Sequence, residues 1–442
     1  MKKTLIGAAA FAAAGAIALT GCGGSADTAT DETAGGTDAT TDATTDTAAG
    51  AEDITLWLMG TDTPDDLIDY LKTTYTEENG GDLTVEQIGW GDAIASLTTA
   101  LPDSANTPDV TEVGNTQAAT FTTVGAFMDI SDMYEELGGD SLLQGFVEAG
   151  AVGDAKFALP YYFGSRMAFY RKDLYEQGGV EVPTTLAEFT DIHATMYDAD
   201  VAGSYIPGQD WRTGISWIFA NGGDIATFDG SEWTATLSSP ESVEGMKQWQ
   251  ELFTTSSVAT ATDNDSNSYL AINDEFLAGT PAATTLAPNW AACCLGDVND
   301  DDTVTWNDDK FGAYVLPGVD GGAAPVFAGG SNIAVSAATQ HEEGAKTLMR
   351  IIFSADYQSM LAEAGMGPAN LDYADAYADQ GPINALALEA AESSKLTPAA
   401  PGWAAVENAT LMEQYFQAVA EGGDVETLAA EYDEKINALI NG

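Results

Sequence analysis

Residues 54–116 alternate between two kinds of apolar spacing, and this alternation constrains the fold more than any other feature of the chain. Ile54-Thr55-Leu56-Trp57-Leu58-Met59 is an unbroken apolar run closed by Gly60. Its β-branched and aromatic content reads as a buried parallel strand. Across Pro64–Lys72, Leu67, Ile68 and Leu71 recur at helical spacing. Leu83–Ile88 reads as a second strand followed by Gly89-Trp90-Gly91-Asp92, Ala93–Ala100 as a helix, and Pro108–Val113 as a third strand ended by Gly114-Asn115-Thr116. Strand, helix, strand, helix, strand specifies an α/β layer with a parallel sheet. Ligands of such sheets collect at the carboxyl ends of the strands. That marks Asp62, Trp90 and Asn115 as candidates, although Trp90 reads equally well as a hydrophobic staple at a helix start.

What precedes this layer cannot pack. Met1-Lys2-Lys3 is basic, Thr4–Leu19 is mostly apolar, and the run ends in Leu19-Thr20-Gly21-Cys22. That is a signal peptide in charge, length and small-residue ending, and too short to span a bilayer. Leu-x-Gly-Cys resembles the bacterial lipobox, which implies lipidation at Cys22; an ordinary cleaved leader with an incidental cysteine is the alternative. Residues 23–52 contain only Gly, Ser, Ala, Asp, Thr and Glu. Such a segment has no apolar surface to bury and reads as an acidic tether.

The remaining ~390 residues exceed the usual size of one core, so two lobes are expected. The net charge is −55, from 69 acids against 14 bases, and loss of Lys2 and Lys3 makes it −57. This excludes electrostatic binding to nucleic acid or to an anionic membrane surface and disfavours an acidic substrate.

Leu159–Tyr175 holds six aromatics together with Arg166, Arg171, Lys172 and Asp173. Pro160 reads as a turn or extended start, Gly164 as a bend, Met167–Tyr170 as a short strand, and Arg171–Leu174 as a turn into a helix. Tyr170, Lys172–Tyr175, Gly178-Gly179, Pro183–Thr185 and Glu188-Phe189, in this order, resemble the extracellular solute-binding proteins of carbohydrate ABC importers, lipoprotein type. So do Pro108–Val110 with Gly125–Ile130, Trp217–Gly223, Gly329–Asn332 with the helix Glu342–Phe353, and Pro398–Val406. The resemblance covers nearly everything after residue 52.

It implies an α/β, two-lobed periplasmic-binding-protein fold of type II, with hinge crossings and a ligand cleft between the lobes. The expected boundaries are 53–159 plus 326–370 for lobe 1 and 160–325 plus 371–442 for lobe 2. It also implies a monomeric, lipid-anchored binder on the outer face of the cytoplasmic membrane that catalyses nothing and hands an oligosaccharide to the permease subunits of an ABC transporter. Leu56–Gly60 and Pro108–Asn115 look most like the chitobiose and N-acetylglucosamine-oligosaccharide branch. Trp211, Trp290 and Trp403 are the candidate stacking rings, with Trp90 and Tyr161 beside them. Asp62, Asn115, Arg166 and Asn221 are the candidate polar contacts, and Gly330 is expected where the backbone approaches ligand or hinge. A secreted carbohydrate-active enzyme and a binder of peptides or other solutes are the rival readings.

Three features stand apart from this scheme. Counting from Asp297, oxygen ligands fall at positions one, three, five, seven and twelve as Asp297, Asn299, Asp301, Thr303 and Asp308, which resembles a calcium loop of the EF-hand or dockerin kind. Asp302 stands at the usual turn glycine and Asp308 at the usual glutamate, so a solvated acidic loop is the alternative. No other cofactor is expected. Cys293 and Cys294 can form a vicinal disulfide, stay free or bond another chain, and the first is the expectation. His193, beside Asp191 on a helical segment, is expected at the surface.

Overall fold

A computed structural model describes residues 50–198, 201–274, 276–277, 280–299 and 304–442. The leader, Cys22 and nearly all of the tether lie outside the described residues. Among those described, nine strands form one curled sheet: β1 (Ile54–Met59), β2 (Leu83–Ile88), β3 (Val110–Gly114), β4 (Ala158–Arg171), β5 (Ser204–Tyr205), β6 (Thr284–Pro288), β7 (Phe311–Tyr314), β8 (Ala328–Val335) and β9 (Gly367–Pro368). The order is β2-β1-β3-β8-β4-β6-β5, with β7 and β9 also paired to β4.

The parallel layer takes the form its sequence specifies. β1 pairs in parallel with both β2 and β3, and helices Asp65–Asn79 and Ala93–Ala100 connect them. Leu67, Ile68 and Leu71 are buried on the inner face of the first helix. Helix Pro240–Ser256 starts on Ser239, whose hydroxyl accepts from Ser242 N–H, with proline at its first position. It buries Met246, Trp249 and Leu252.

β4 departs from its sequence reading. It is one strand of 14 residues, not a turn, a bend and a short strand. At about 3.3 Å per residue it runs roughly 45 Å. Its first half pairs with β8, from Ala158↔Ala334 to Ser165↔Ala328. Its second half pairs with β6, from Arg166↔Pro288 to Tyr170↔Thr284, and with β7. The turn signals failed because the sheet accommodates them. The register slips where Tyr162 faces Ser331 but Pro160 faces Asn332, leaving Tyr161 as the extra residue. A bulge is one of the few places where a sheet tolerates a residue without an N–H.

Two large cores flank the point where β4 changes partners. One is built from residues within 54–161 and 333–369, including Leu56, Tyr75, Tyr161 and Tyr357. The other is built from residues within 168–327 and 390–440, including Trp211, Trp217, Trp249, Trp403 and Phe416. A smaller cluster with Phe163, Met167, Phe169 and Tyr377 packs along the middle of β4.

Candidate ligand-binding cleft

A cleft of about 530 Å³ opens above the partner switch of β4. Its wall on the first lobe begins at the carboxyl end of β1. Gly60 has φ +66°, and a Cβ there would meet Trp90 Nε1 at 2.6 Å. Glycine therefore permits both the turn and the close approach of the indole. One oxygen of Asp62 accepts from Trp90 Nε1 (2.9 Å) and from the Tyr162 hydroxyl (2.9 Å). Trp90 is thus fixed by its edge while its ring lines the cleft, 37 % exposed.

Behind this wall lies Glu112. It is fully buried; one oxygen accepts Met59 N–H at 2.8 Å and the other has no protein donor among the described residues. Burial, reinforced by Asp62, pushes its carboxyl up to about 8, so it is mostly protonated at neutral pH.

The opposite wall carries the charge. Arg166 closes the floor, with Nε donating to Thr213 Oγ1 (3.2 Å) and its guanidinium 5.0 Å from the Phe327 ring centre. Burial pulls its pKa down, partly offset by Asp210. Asp210 caps helix Trp211–Ala220 by accepting Thr213 N–H at 3.1 Å. Burial raises its pKa, and Arg166 opposes the rise. Arg212 reaches Asp265 at 3.6 Å and Glu407 at 3.9 Å. Trp290, 55 % exposed, projects from the short helix Asn289–Cys294 with its edge against Tyr269, 5.2 Å between centroids.

Asn289 sits at the pivot. Its side-chain oxygen accepts Ser165 N–H (3.1 Å) and its amide donates to the Tyr377 hydroxyl (3.0 Å). It therefore satisfies β4 where β8 ends and β6 begins. Gly330, at φ +133°, lines the cleft with no room for a side chain, since a Cβ would lie 2.3 Å from the Tyr162 carbonyl oxygen.

Of the residues selected from sequence, Asp62, Trp90, Arg166, Trp290 and Gly330 line this cleft. Five others lie elsewhere. Tyr161 is fully buried behind β4, its hydroxyl 2.6 Å from that of Tyr357 and 3.0 Å from Thr63; the alternation of the strand turns its neighbour Tyr162 to the cleft instead. Asn115 is buried and donates to the Ala328 carbonyl at 2.9 Å, tying β3 to β8. Trp211 and Trp403 are core residues packed on each other at 6.1 Å, and the Trp211 indole donates to Glu413. Asn221 ends helix Trp211–Ala220, donating to Trp217 O and Gln248 Oε1.

His193 is not at the surface either. It is fully buried, bonded to the Phe189 carbonyl and to the hydroxyls of Tyr175 and Thr284, and burial lowers its pKa to about 4.

Sequence reasoning missed Tyr162, Asp210, Arg212, Asp265, Tyr269, Asn289 and Phe327. Asp210 alone carried a signal, as an aspartate directly before a helical apolar pattern.

The 297–308 loop begins as a ribbon in which Asp297–Val298 pairs with Val304–Thr305. Asp301 and Thr303 lie outside the described residues. Asp297 accepts from Asn307 Nδ2 (2.6 Å), Asn299 donates to Thr305 Oγ1 (2.9 Å), and Asp308 accepts from Trp306 Nε1 (2.6 Å). Cys293 and Cys294 are paired with each other.

Known proteins bear on this geometry. The profile of a family described as bacterial extracellular solute-binding protein matches residues 71–387. A relative from Streptomyces coelicolor, the diacetylchitobiose binding protein DasA, is 27 % identical over 100 % of this chain and 99 % of its own. Among solved structures, the sugar-binding protein MalE of Xanthomonas citri superposes with a TM-score of 0.73 at 17 % identity, covering 88 % of this chain and 97 % of its own. The GacH receptor of Streptomyces glaucescens, solved unliganded and with acarbose, superposes with a TM-score of 0.71 at 18 % identity, covering 88 % and 98 %. These likenesses establish a two-lobed fold with the cleft between the lobes. With its profile match spanning most of the domain, the chain belongs to the bacterial extracellular solute-binding proteins.

Proposed function

We propose that this protein captures an oligosaccharide in the cleft and delivers it to the permease of an ABC transporter, tethered to the outer face of the cytoplasmic membrane through a lipid on Cys22. The observation that carries the reading is the composition of the two walls. Exposed aromatic rings stand on both, Trp90 on one and Trp290, packed on half-buried Tyr269, on the other. Between them lie hydrogen-bonding groups with capacity left over, namely Asp62, Asp210 and Arg166. Apolar ring faces suit the C–H faces of sugars, and carboxylates and guanidinium suit their hydroxyls. The volume falls within the range of about 300–1,000 Å³ usual for small-molecule sites. The binding activity of DasA points to a chitobiose-like ligand.

Binding is a population shift. A sugar that touches Trp90 and Asp62 on one lobe and Trp290 and Arg166 on the other stabilises the state in which all four are in reach. The lobes rotate about the β4 switch and present a joint surface to the permease. The protein works as a monomer and releases its sugar unchanged. Calcium, if held by the 297–308 loop, fastens a surface element and takes no part in the cleft.

Calorimetric titration with a panel of oligosaccharides, with and without calcium, tests this. Saturable binding of one sugar class, with the sugar recovered intact, supports the reading. Hydrolysis of the bound sugar, or binding of peptides and no sugar, defeats it.

A further inference from the structure

Arg166 is 7 % exposed, yet only one of its nitrogens has a protein acceptor, the Nε–H bonded to Thr213. Among the described residues no side chain or carbonyl accepts from its two terminal nitrogens, and no carboxylate forms an ion pair with it. Its terminal nitrogens are not sealed from solvent, so in the open cleft water serves them and a ligand that displaces this water must supply the acceptor itself. The group lies on the cleft floor, so the acceptor arrives with whatever fills the cleft.

The surroundings narrow its chemistry. Asp62, Asp210 and Asp265 line the same space against Arg166 and Arg212, which disfavours an anionic ligand and leaves a neutral acceptor. Carbon flanks the guanidinium: Phe327 lies beneath it, Pro288 is its partner across the strand pair, and Leu286 lies two residues along β6 on the same face. Asp210 caps a helix by accepting Thr213 N–H through one oxygen, and its carboxylate has acceptor capacity beyond the bonds from Thr213. The site therefore offers donors, one acceptor and an apolar wall side by side. A pair of hydroxyls would use the first two and leave the carbon against polar surface. An acetamido group uses all three through its carbonyl, its N–H and its methyl.

We propose that Arg166 selects N-acetylated sugars by donating to an acetamido carbonyl, with the methyl against Leu286, Pro288 and Phe327 and the N–H toward Asp210. This rests on the oligosaccharide reading and adds the specificity-determining residue to it.

The test is calorimetry of the full protein with N,N′-diacetylchitobiose and with cellobiose, which carries hydroxyls in place of the acetamido groups. Arg166→Met removes the fork, and Arg166→Lys keeps the charge without it. Hydrogen bonds to charged groups predict that Arg166→Met weakens the acetylated disaccharide by about 10–100-fold. Cellobiose also meets Arg166 and should weaken, but by a factor at least about threefold smaller, so the preference for the acetylated disaccharide narrows. Arg166→Lys should fall between. An unchanged preference in both variants, an equal loss for both sugars, or a wild type that binds cellobiose as tightly as the acetylated disaccharide overturns the proposal while the oligosaccharide reading stands. A wild type that binds neither disaccharide nor any longer oligosaccharide overturns both.

Discussion

Two tryptophans show how little residue type says about role. Trp290 is half exposed at the cleft, whereas Trp403 is fully buried among Trp211 and the lobe-2 helices. Trp290→Ala should weaken sugar binding by about 10–100-fold, the loss of one stacking platform, while shifting the melting temperature little. Trp403→Ala should cost about 3–5 kcal/mol of stability through the cavity it leaves. Titration and thermal melts of the pair separate the two roles. Glu112 makes a prediction in pH. Its carboxyl titrates near 8 in the fold against an ordinary value of 4.5. Between those values the folded state binds the extra proton, so this group's contribution to stability falls as pH rises from about 5 to 8. Glu112→Gln, neutral throughout, should gain on the wild type across that window, by roughly 1–4 kcal/mol at pH 9. Denaturant melts of both proteins at pH 5 and pH 9 check the sign; a constant difference between them would refute it.

Among the elements, the junction of β4, β6 and β8 is where one side chain replaces a strand. Asn289 accepts from Ser165 and holds Tyr377, whose ring packs edge-on to Phe163 at 5.6 Å. Asn289→Ala should cost about 1–3 kcal/mol, because it orphans a buried N–H and a buried hydroxyl together. Tyr377→Phe removes one bond and should cost less, by the same denaturant measurement. The elements also show what was legible before the structure. β1, β2 and β3 and their helices could be read because each buries one consistent face, and a buried face leaves a periodic trace. β4 could not, since Pro160 and Gly164 carry turn signals that a bulge and facing strands override. The cleft was half legible for a related reason. Asp62 and Trp90 follow strand ends, a position that sequence marks. Arg212 and the Asp265–Tyr269 stretch converge from separate parts of the chain, and convergence leaves no local pattern. Tyr161 and Tyr162 differ only in which way the strand turns them.

For the whole molecule, charge and lobe geometry dominate. With 69 acids in one chain, self-repulsion opposes the compact state. Raising ionic strength from 0.01 to 0.15 M shortens the screening length from about 30 to 8 Å. The melting temperature of the unliganded protein should rise over that interval, and a flat salt dependence would mean that the acids are already neutralised by bound cations. Away from the hinge the lobes touch where Thr116 donates to Glu407 (3.2 Å) and Ala404 N–H donates to Thr120 (3.3 Å). Small-angle scattering should record a smaller radius of gyration with saturating sugar than without it. The interleaving of the two cores has a further consequence, in time. The first core needs residues as late as Ala369, and the second needs Ile440. A chain emerging from its N-terminus therefore passes most of its length with neither core complete. It stays threadable until nearly all of it has been made, which is the state a translocation pore requires of its cargo.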